Sequence, residues 1–139
     1  MSEDTNWERE VWSLCEAAEK EDDRPKEAVR LYMQALDRLP PSEAQSGIAT
    51  QILTGLGEIY WLGGDLEKAF DYFSSAVACE GGLGLTHIHL RLGQIRAERG
   101  ELARARDELM RAYMGSGFQM FEYEDPKYYA LIKDIVEKK

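Results

Sequence analysis

TQILTGLGEIYWLGGDLEKAFDYFSSAVAC, residues 50–79, carries two helical patterns in succession. In its first half Ile52, Leu53, Leu56, Ile59 and Tyr60 recur at the spacing of one helix face. Gly63-Gly64 interrupts that pattern, as glycines able to adopt positive φ do at a helix C-terminus. Asp65 follows as a natural N-cap. A second apolar stripe then runs through Leu66, Ala69, Phe70, Phe73, Ala76 and Val77. Two amphipathic helices joined by so short a turn pack antiparallel.

Small residues mark where the two helices meet. Gly57 sits in mid-helix, where glycine costs roughly 1 kcal/mol against alanine. A close approach of the neighbouring helix accounts for it, and Ala69 and Ala76 are one-sided in the same way. The order Leu56-Gly57, Tyr60, Gly64-Asp65, Ala69, Phe73, Ala76 resembles the tetratricopeptide repeat (TPR), which places small residues where its A and B helices touch. The family's closing Pro position falls on Gly81, another helix breaker.

The pattern recurs downstream in THIHLRLGQIRAERGELARARDELMRAYM. Leu92-Gly93, Gly100, Ala105, Leu109 and Ala112 each fall 36 residues after Leu56-Gly57, Gly64, Ala69, Phe73 and Ala76. Arg96 replaces Tyr60 and leaves the local packing of that copy open. Upstream, Ala28, Val29, Tyr32, Ala35, Leu36 and Leu39 repeat the second-helix spacing, with Tyr32 in the aromatic position. This first copy is degenerate. Cys15-Glu16 stands where Leu-Gly is expected, and its turn is polar.

Helix ends follow from local chemistry. Thr5-x-x-Glu8 reads as a capping box, placing a helix start near residue 6, with Trp7, Val11, Leu14, Cys15 and Ala18 as its stripe. Pro25 suits the first turn of the next helix. Pro40-Pro41 ends it. Ser42-x-x-Gln45 is a second capping box, so the following helix is expected from about residue 43 to Leu62, with Gly47 weakening its first turns. Glu80–Leu85, EGGLGL, has no GKS or GKT and no preceding strand, and reads as an inter-repeat loop rather than a phosphate cradle. Gly115-Ser116-Gly117 ends the last repeat. Phe118, Met120, Phe121 and Tyr123 lead to Asp125-Pro126, an N-cap followed by a first-turn proline. Tyr128, Tyr129, Leu131, Ile132, Ile135 and Val136 then give a final helix suited to capping a repeat array.

The expected fold is therefore all-α: an antiparallel helix-pair solenoid of about three TPR-like repeats plus a C-terminal capping helix, about seven helices in all. A single domain is expected over residues 1–139, with repeats at about 6–40, 43–80 and 86–114 and the cap at about 126–138.

Charge bounds the partners. The formal net charge is −9, from 17 Lys and Arg against 26 Asp and Glu. Such acidity disfavours nucleic acid and anionic membrane, and favours a basic partner through steering, although it also serves solubility. Cys15 and Cys79 lie in helical patterns with no CxxC and read as small buried apolar residues. The start, MSEDTNWERE, is no signal peptide, and no apolar run approaches a membrane span, so a cytosolic location is expected.

Catalytic patterns are lacking. His87 and His89, two apart on a helix, point to different faces and cannot chelate one metal together. No carboxylate pair has an apolar surround that would raise a pKa. Ser13, Ser74-Ser75 and Ser116 have no nucleophile-elbow context. No enzyme, metal or cofactor is expected.

What the resemblance implies is a binding surface. In the TPR fold the A helices line a concave groove. Its positions carry over to Gln51, Thr54, Glu58, Trp61 and Leu62 in the central repeat, and to His87, Leu90, Gln94, Ala97 and Glu98 in the third. The first repeat offers Glu10, Ser13, Ala17, Lys20 and Glu21. Trp61 and Leu62 lie off the central stripe, as groove anchors or as contacts to the long helix start or the cap. Glu10, Glu58 and Glu98 suit a groove accepting basic side chains, or are solvated helix-face charges. Thr54 and Glu58 stand where the carboxylate-clamp subclass has Lys and Asn, so the resemblance does not extend to binding chaperone C-terminal peptides.

HLRLGQIRAERGELARARDELMRAYMGSG followed by FEYEDPKYYALIK resembles a narrower group, the small bacterial TPR-type proteins encoded beside Rhs and other polymorphic toxins. Several of that group are thought to be immunity proteins. That resemblance implies a protein that binds and neutralises a cognate secreted (Rhs/polymorphic, type VI-like) toxin domain with a basic surface, by occlusion and without a cofactor. The alternative is an adaptor or chaperone that binds a peptide or effector without inhibiting it. A monomer is expected when free, although open repeat ends also allow dimers.

Overall fold

The computed structural model describes the backbone of residues 2–138 and the side chains of residues 6–138. Among the described residues all regular structure is helical: α1 Ser2–Glu19, α2 Pro25–Arg38, α3 Gly47–Leu62, α4 Leu66–Val77, α5 Thr86–Glu98, α6 Leu102–Ser116, α7 Pro126–Ala130 and α8 Lys133–Val136. The dominant packing is between sequence neighbours, α1 with α2, α3 with α4 and α5 with α6. This is an all-α fold of adjacent helix pairs. The chain divides into two compact units, Met1–Gly82 and Leu83–Lys139. The first holds two helix pairs. The second holds the third pair and the C-terminal segment.

The 36-residue repetition is visible atom by atom. At the end of α3, Gly64 has φ +84°. Its N–H donates to Trp61 O at 3.1 Å, and Asp65 N–H donates to Tyr60 O at 2.9 Å. At the end of α5, Gly100 has φ +80°. Its N–H donates to Ala97 O at 3.0 Å, and Glu101 N–H donates to Arg96 O at 2.9 Å. Both are the paired bonds of a Schellman C-cap, and both need a residue that tolerates positive φ.

The side chains at these turns differ. Asp65 accepts from Lys68 N at 3.1 Å as an N-cap. Tyr60 stacks on Tyr72 with centroids 5.7 Å apart and planes 6° apart. In the second unit Arg96 Nη1 donates to Glu101 Oε1 at 2.7 Å. An ion pair across the turn stands where the first unit has an aromatic stack and a cap.

Gly57 and Gly93 are points of close helix approach. A Cβ added at Gly57 would lie 2.8 Å from the ring of Phe73, and one at Gly93 would lie 2.7 Å from Leu109 and 3.2 Å from Ala105 O. Phe73 and Leu109 are themselves fully buried. The helix-propensity cost of each glycine is thus exchanged for apolar burial across the pair.

Three boundaries differ from those read in the sequence. Helix α1 reaches back to Ser2, so Thr5 lies inside the helix rather than capping it, and its side chain falls outside those described. Helix α3 begins at Gly47 instead of about residue 43. Ser46, not Ser42, is its N-cap, accepting from Ala49 N at 3.4 Å. The preceding residues form a 3-10 turn, Pro41–Glu43, and Ser46 Oγ donates to Glu43 O at 2.9 Å, which fixes the break. The C-terminal helix is two short pieces. Leu131 and Ile132 take tightened bonds to Tyr128 O and Tyr129 O, three residues back, which interrupts the α ladder where Ile132 becomes fully buried.

The glycine-rich stretch after α4 is held at Glu80. Its N–H donates to Gln45 O at 2.9 Å, and its carbonyl accepts from Thr50 Oγ1 at 2.7 Å. Gly82 packs so closely that a Cβ there would lie 1.9 Å from Ala76 O. The loop is structural.

Gly57→Ala is expected to lower unfolding free energy by about 1 kcal/mol net, overpacking of about 1–3 kcal/mol outweighing the helix-propensity gain of roughly 1 kcal/mol. At Gly63 a new Cβ meets nothing nearer than Ile59 O at 3.4 Å. Gly63→Ala is therefore expected to stay within about 0.5 kcal/mol of the parent. Urea titration of the two variants checks the contrast, and equal effects would contradict the close-approach assignment.

Candidate functional site

In the first unit, α1, α2 and α3 converge on a cleft of about 380 Å³. Its floor is apolar, from Ala18, Ala28 and Ile59. Acidic side chains surround it: Glu19, Glu21 and Asp22 from α1 and the turn after it, and Glu58 from α3. Leu62, 75% exposed, stands at one side. Glu21 faces Arg24 at 3.6 Å, which offsets part of the negative charge.

Tyr32 and Gly55 complete the lining. A Cβ at Gly55 would lie 2.7 Å from Tyr32 Cζ and 2.8 Å from its hydroxyl oxygen. The ring thus lies directly against the backbone of α3, and only glycine at this turn leaves room for it. Burial, then the neighbouring Glu19 carboxylate and Cys15, push the Tyr32 hydroxyl up to about 12. It stays protonated at neutral pH. Cys15, close by in the core of this unit, is also raised, to about 11, by burial and by Glu19. As a thiol rather than a thiolate it is a packing residue.

The positions expected to bind fall into different environments. In the first unit Glu58 and Leu62 line the cleft with Tyr32. Trp61 is half-buried and Gln51 is exposed. Thr54 Oγ1 donates to Thr50 O at 2.7 Å, along its own helix. Of the first-repeat positions, Glu21 is at the cleft, whereas Glu10 and Ser13 line a shallow depression on α1, where Glu10 pairs with Arg38.

In the second unit the corresponding face is covered by the chain itself. Leu90 is 2% exposed and packs with Leu109, Ala112, Phe121, Tyr128 and Ile132. Gln94 is fully buried, and its Nε2 donates to Glu124 Oε1 at 2.8 Å. Arg91 Nη1 reaches both Gln94 Oε1 and Glu124 Oε1 at 2.9 Å. Glu98 accepts from Tyr128 Oη at 2.6 Å and pairs with Lys127 at 2.8 Å. The C-terminal segment therefore occupies the side of α5 that holds Leu90, Gln94 and Glu98. His87 is half-buried. His89 is buried, with Nδ1 2.7 Å from Glu108 Oε1 and Nε2 2.7 Å from Leu83 O.

The sequence pattern puts Tyr32 at the aromatic position of the first repeat and does not mark Gly55, Glu19 or Asp22 as site residues. A signal was present: Gly55 is a second costly mid-helix glycine, two residues before Gly57. Among the described residues no group of three or more His, Cys, Asp or Glu is placed to hold a metal ion. No helix among them is long and apolar enough to cross a membrane. Comparison with protein-family models and with curated proteins finds no match to the chain.

Lys127 and then the Tyr128 hydroxyl hold the Glu98 carboxyl below the ordinary carboxylate range. A depressed carboxylate contributes stability above its unfolded pKa and loses it as pH falls through the folded value. Tyr128→Phe is expected to cost about 1 kcal/mol near neutral pH, the worth of one partly exposed charge-assisted hydrogen bond. That difference should narrow once acid protonates Glu98. Denaturation midpoints across the acid range check it, and a pH-independent cost would place the loss in packing instead.

Proposed function

We propose that this protein is a non-enzymatic, TPR-type binding module of the bacterial cytosol. In this reading it is an immunity protein that binds a cognate secreted toxin domain and neutralises it by occlusion. The observation that carries the reading is the acidic cleft beside Leu62. Single exposed leucines are ordinary, but Leu62 lines a cleft together with four carboxylates. That arrangement suits an anchor flanked by charges that select a basic partner. The net charge of −9 acts in the same direction at long range, speeding association with a positively charged domain. Occlusion needs no cofactor and no catalytic group, only a stable surface and fast capture. Helix pairs locked by glycine contacts supply the first, and the charge supplies the second.

The experiment is co-expression with the neighbouring genes, followed by affinity purification at moderate salt. Recovery of a stoichiometric toxin domain, with loss of toxicity, is the expected result. A non-toxic partner, or several unrelated ones, would move the assignment to an adaptor or chaperone. With the partner in hand, Glu58→Lys combined with Trp61→Ala is expected to weaken binding at least about tenfold, the range of one charge reversal and one aromatic truncation at an interface. Helix content by circular dichroism should stay at the parent value. Unchanged affinity with an intact fold would exclude this face of α3 as the contact.

A further inference from the structure

Tyr32 is 7% exposed, yet its hydroxyl forms no hydrogen bond among the described residues. No fully buried side-chain nitrogen or oxygen among them lacks a partner. The Tyr32 oxygen is therefore not sealed in the core. It opens on the cleft that Tyr32 lines with Gly55. With the Tyr32 side chain nine-tenths buried, bulk water reaches its hydroxyl only through the cleft, and a ligand donor placed there can bond the oxygen.

The surround defines the chemistry of that group. Glu19, Asp22 and Glu58 contribute carboxylates, Glu58 while also engaged within the chain, and Glu21 is partly offset by Arg24. An anion or a second carboxylate is repelled. The floor and Leu62 are apolar and favour a ligand with a hydrocarbon stem. We propose that this cleft takes one arginine side chain from a protein partner, its stem against Leu62 and Ile59 and its guanidinium shared between the Tyr32 hydroxyl and the Glu19 and Glu58 carboxylates. Arginine fits better than lysine for two reasons. Its planar fork carries five donors for acceptors on several sides, and it gives up water more readily than an ammonium. A protonated Tyr32 hydroxyl accepts one of those donors through its oxygen lone pair.

This site deepens the binding reading above and relies on it only to supply the partner. The probe is N-acetyl-arginine amide, titrated into the full chain and followed by NMR at the Gly55 amide and the Tyr32 ring. N-acetyl-citrulline amide (the neutral isostere) and N-acetyl-lysine amide are the controls. Saturable shifts at both reporters with the arginine probe, and markedly weaker binding of the other two, are expected. Tyr32→Phe keeps the ring against Gly55 and should weaken the arginine probe about threefold, as loss of one hydrogen bond does. Glu19→Gln, at an exposed position that does not endanger folding, should weaken it by about the same factor.

Absence of saturable shifts at Gly55 and Tyr32 overturns the site. So does equal binding of citrulline, or unchanged affinity in both variants. Tighter binding of the lysine probe overturns the choice of arginine. The titration contains no toxin, so its failure leaves the immunity reading standing. Failure to rescue cells with probe binding intact rejects the immunity reading alone.

Discussion

The close approach of paired helices at glycine is the constraint on which the rest of the structure depends. At Gly57 and Gly93 the opposing side chains, Phe73 and Leu109, occupy the space a Cβ would take. At Gly55 the same device works between the pairs of the first unit, bringing Tyr32 of α2 onto α3. Each contact sacrifices helix propensity locally and recovers it in buried apolar surface. Each also fixes the distance between helices, which decides what lies beside them. The cleft exists because Tyr32 sits down against Gly55. A larger residue there would push the ring outward into the space a ligand would occupy.

The two units use the same helix-pair design to different ends. In the first, the Glu58–Leu62 end of α3 remains accessible and acidic. In the second, Ile88 to Ile95 of α5 are all buried, and a polar network of Arg91, Gln94 and Glu124 crosses that region. Buried polar groups tolerate such a place only when fully satisfied, and here Arg91 and Gln94 bond each other and both reach Glu124 of the C-terminal segment. The aromatic cluster of Phe118, Phe121 and Tyr129, with Phe118 edge-on to Tyr129 at 4.9 Å, packs the two ends of that segment against each other. The tail thus completes a core rather than decorating a surface.

Much of the fold was legible because it rests on local chemistry. The helix pairs, the Gly64 and Gly100 turns, the meaning of Gly57 and Gly93 and the structural character of the EGGLGL loop all follow from residues within about one helix pair. What the sequence obscured depends on contacts between distant residues. Ser42 offered a better capping box than Ser46, but the Pro41–Glu43 turn set the start of α3. The split at Leu131–Ile132 reflects the burial of Ile132, which no periodicity reveals. The side of α5 was harder still. Leu90, Gln94 and Glu98 share the spacing of an open binding face, and nothing in their pattern shows that Glu124, Lys127 and Tyr128 return to cover them. Tyr32 was recognisable as an inward-facing aromatic, whereas the opening of its hydroxyl onto the cleft is a property of three dimensions only.

The central claim is that this chain engages a basic protein partner through the acidic cleft of its first unit. Amide hydrogen exchange, compared between the free protein and its complex with the co-purified partner, tests this most directly. The account predicts added protection around Ala18–Ala28 and Gly55–Leu62, with α5 and the C-terminal segment exchanging as they do in the free protein. Protection confined to residues 83–138, with the cleft unchanged, would contradict it.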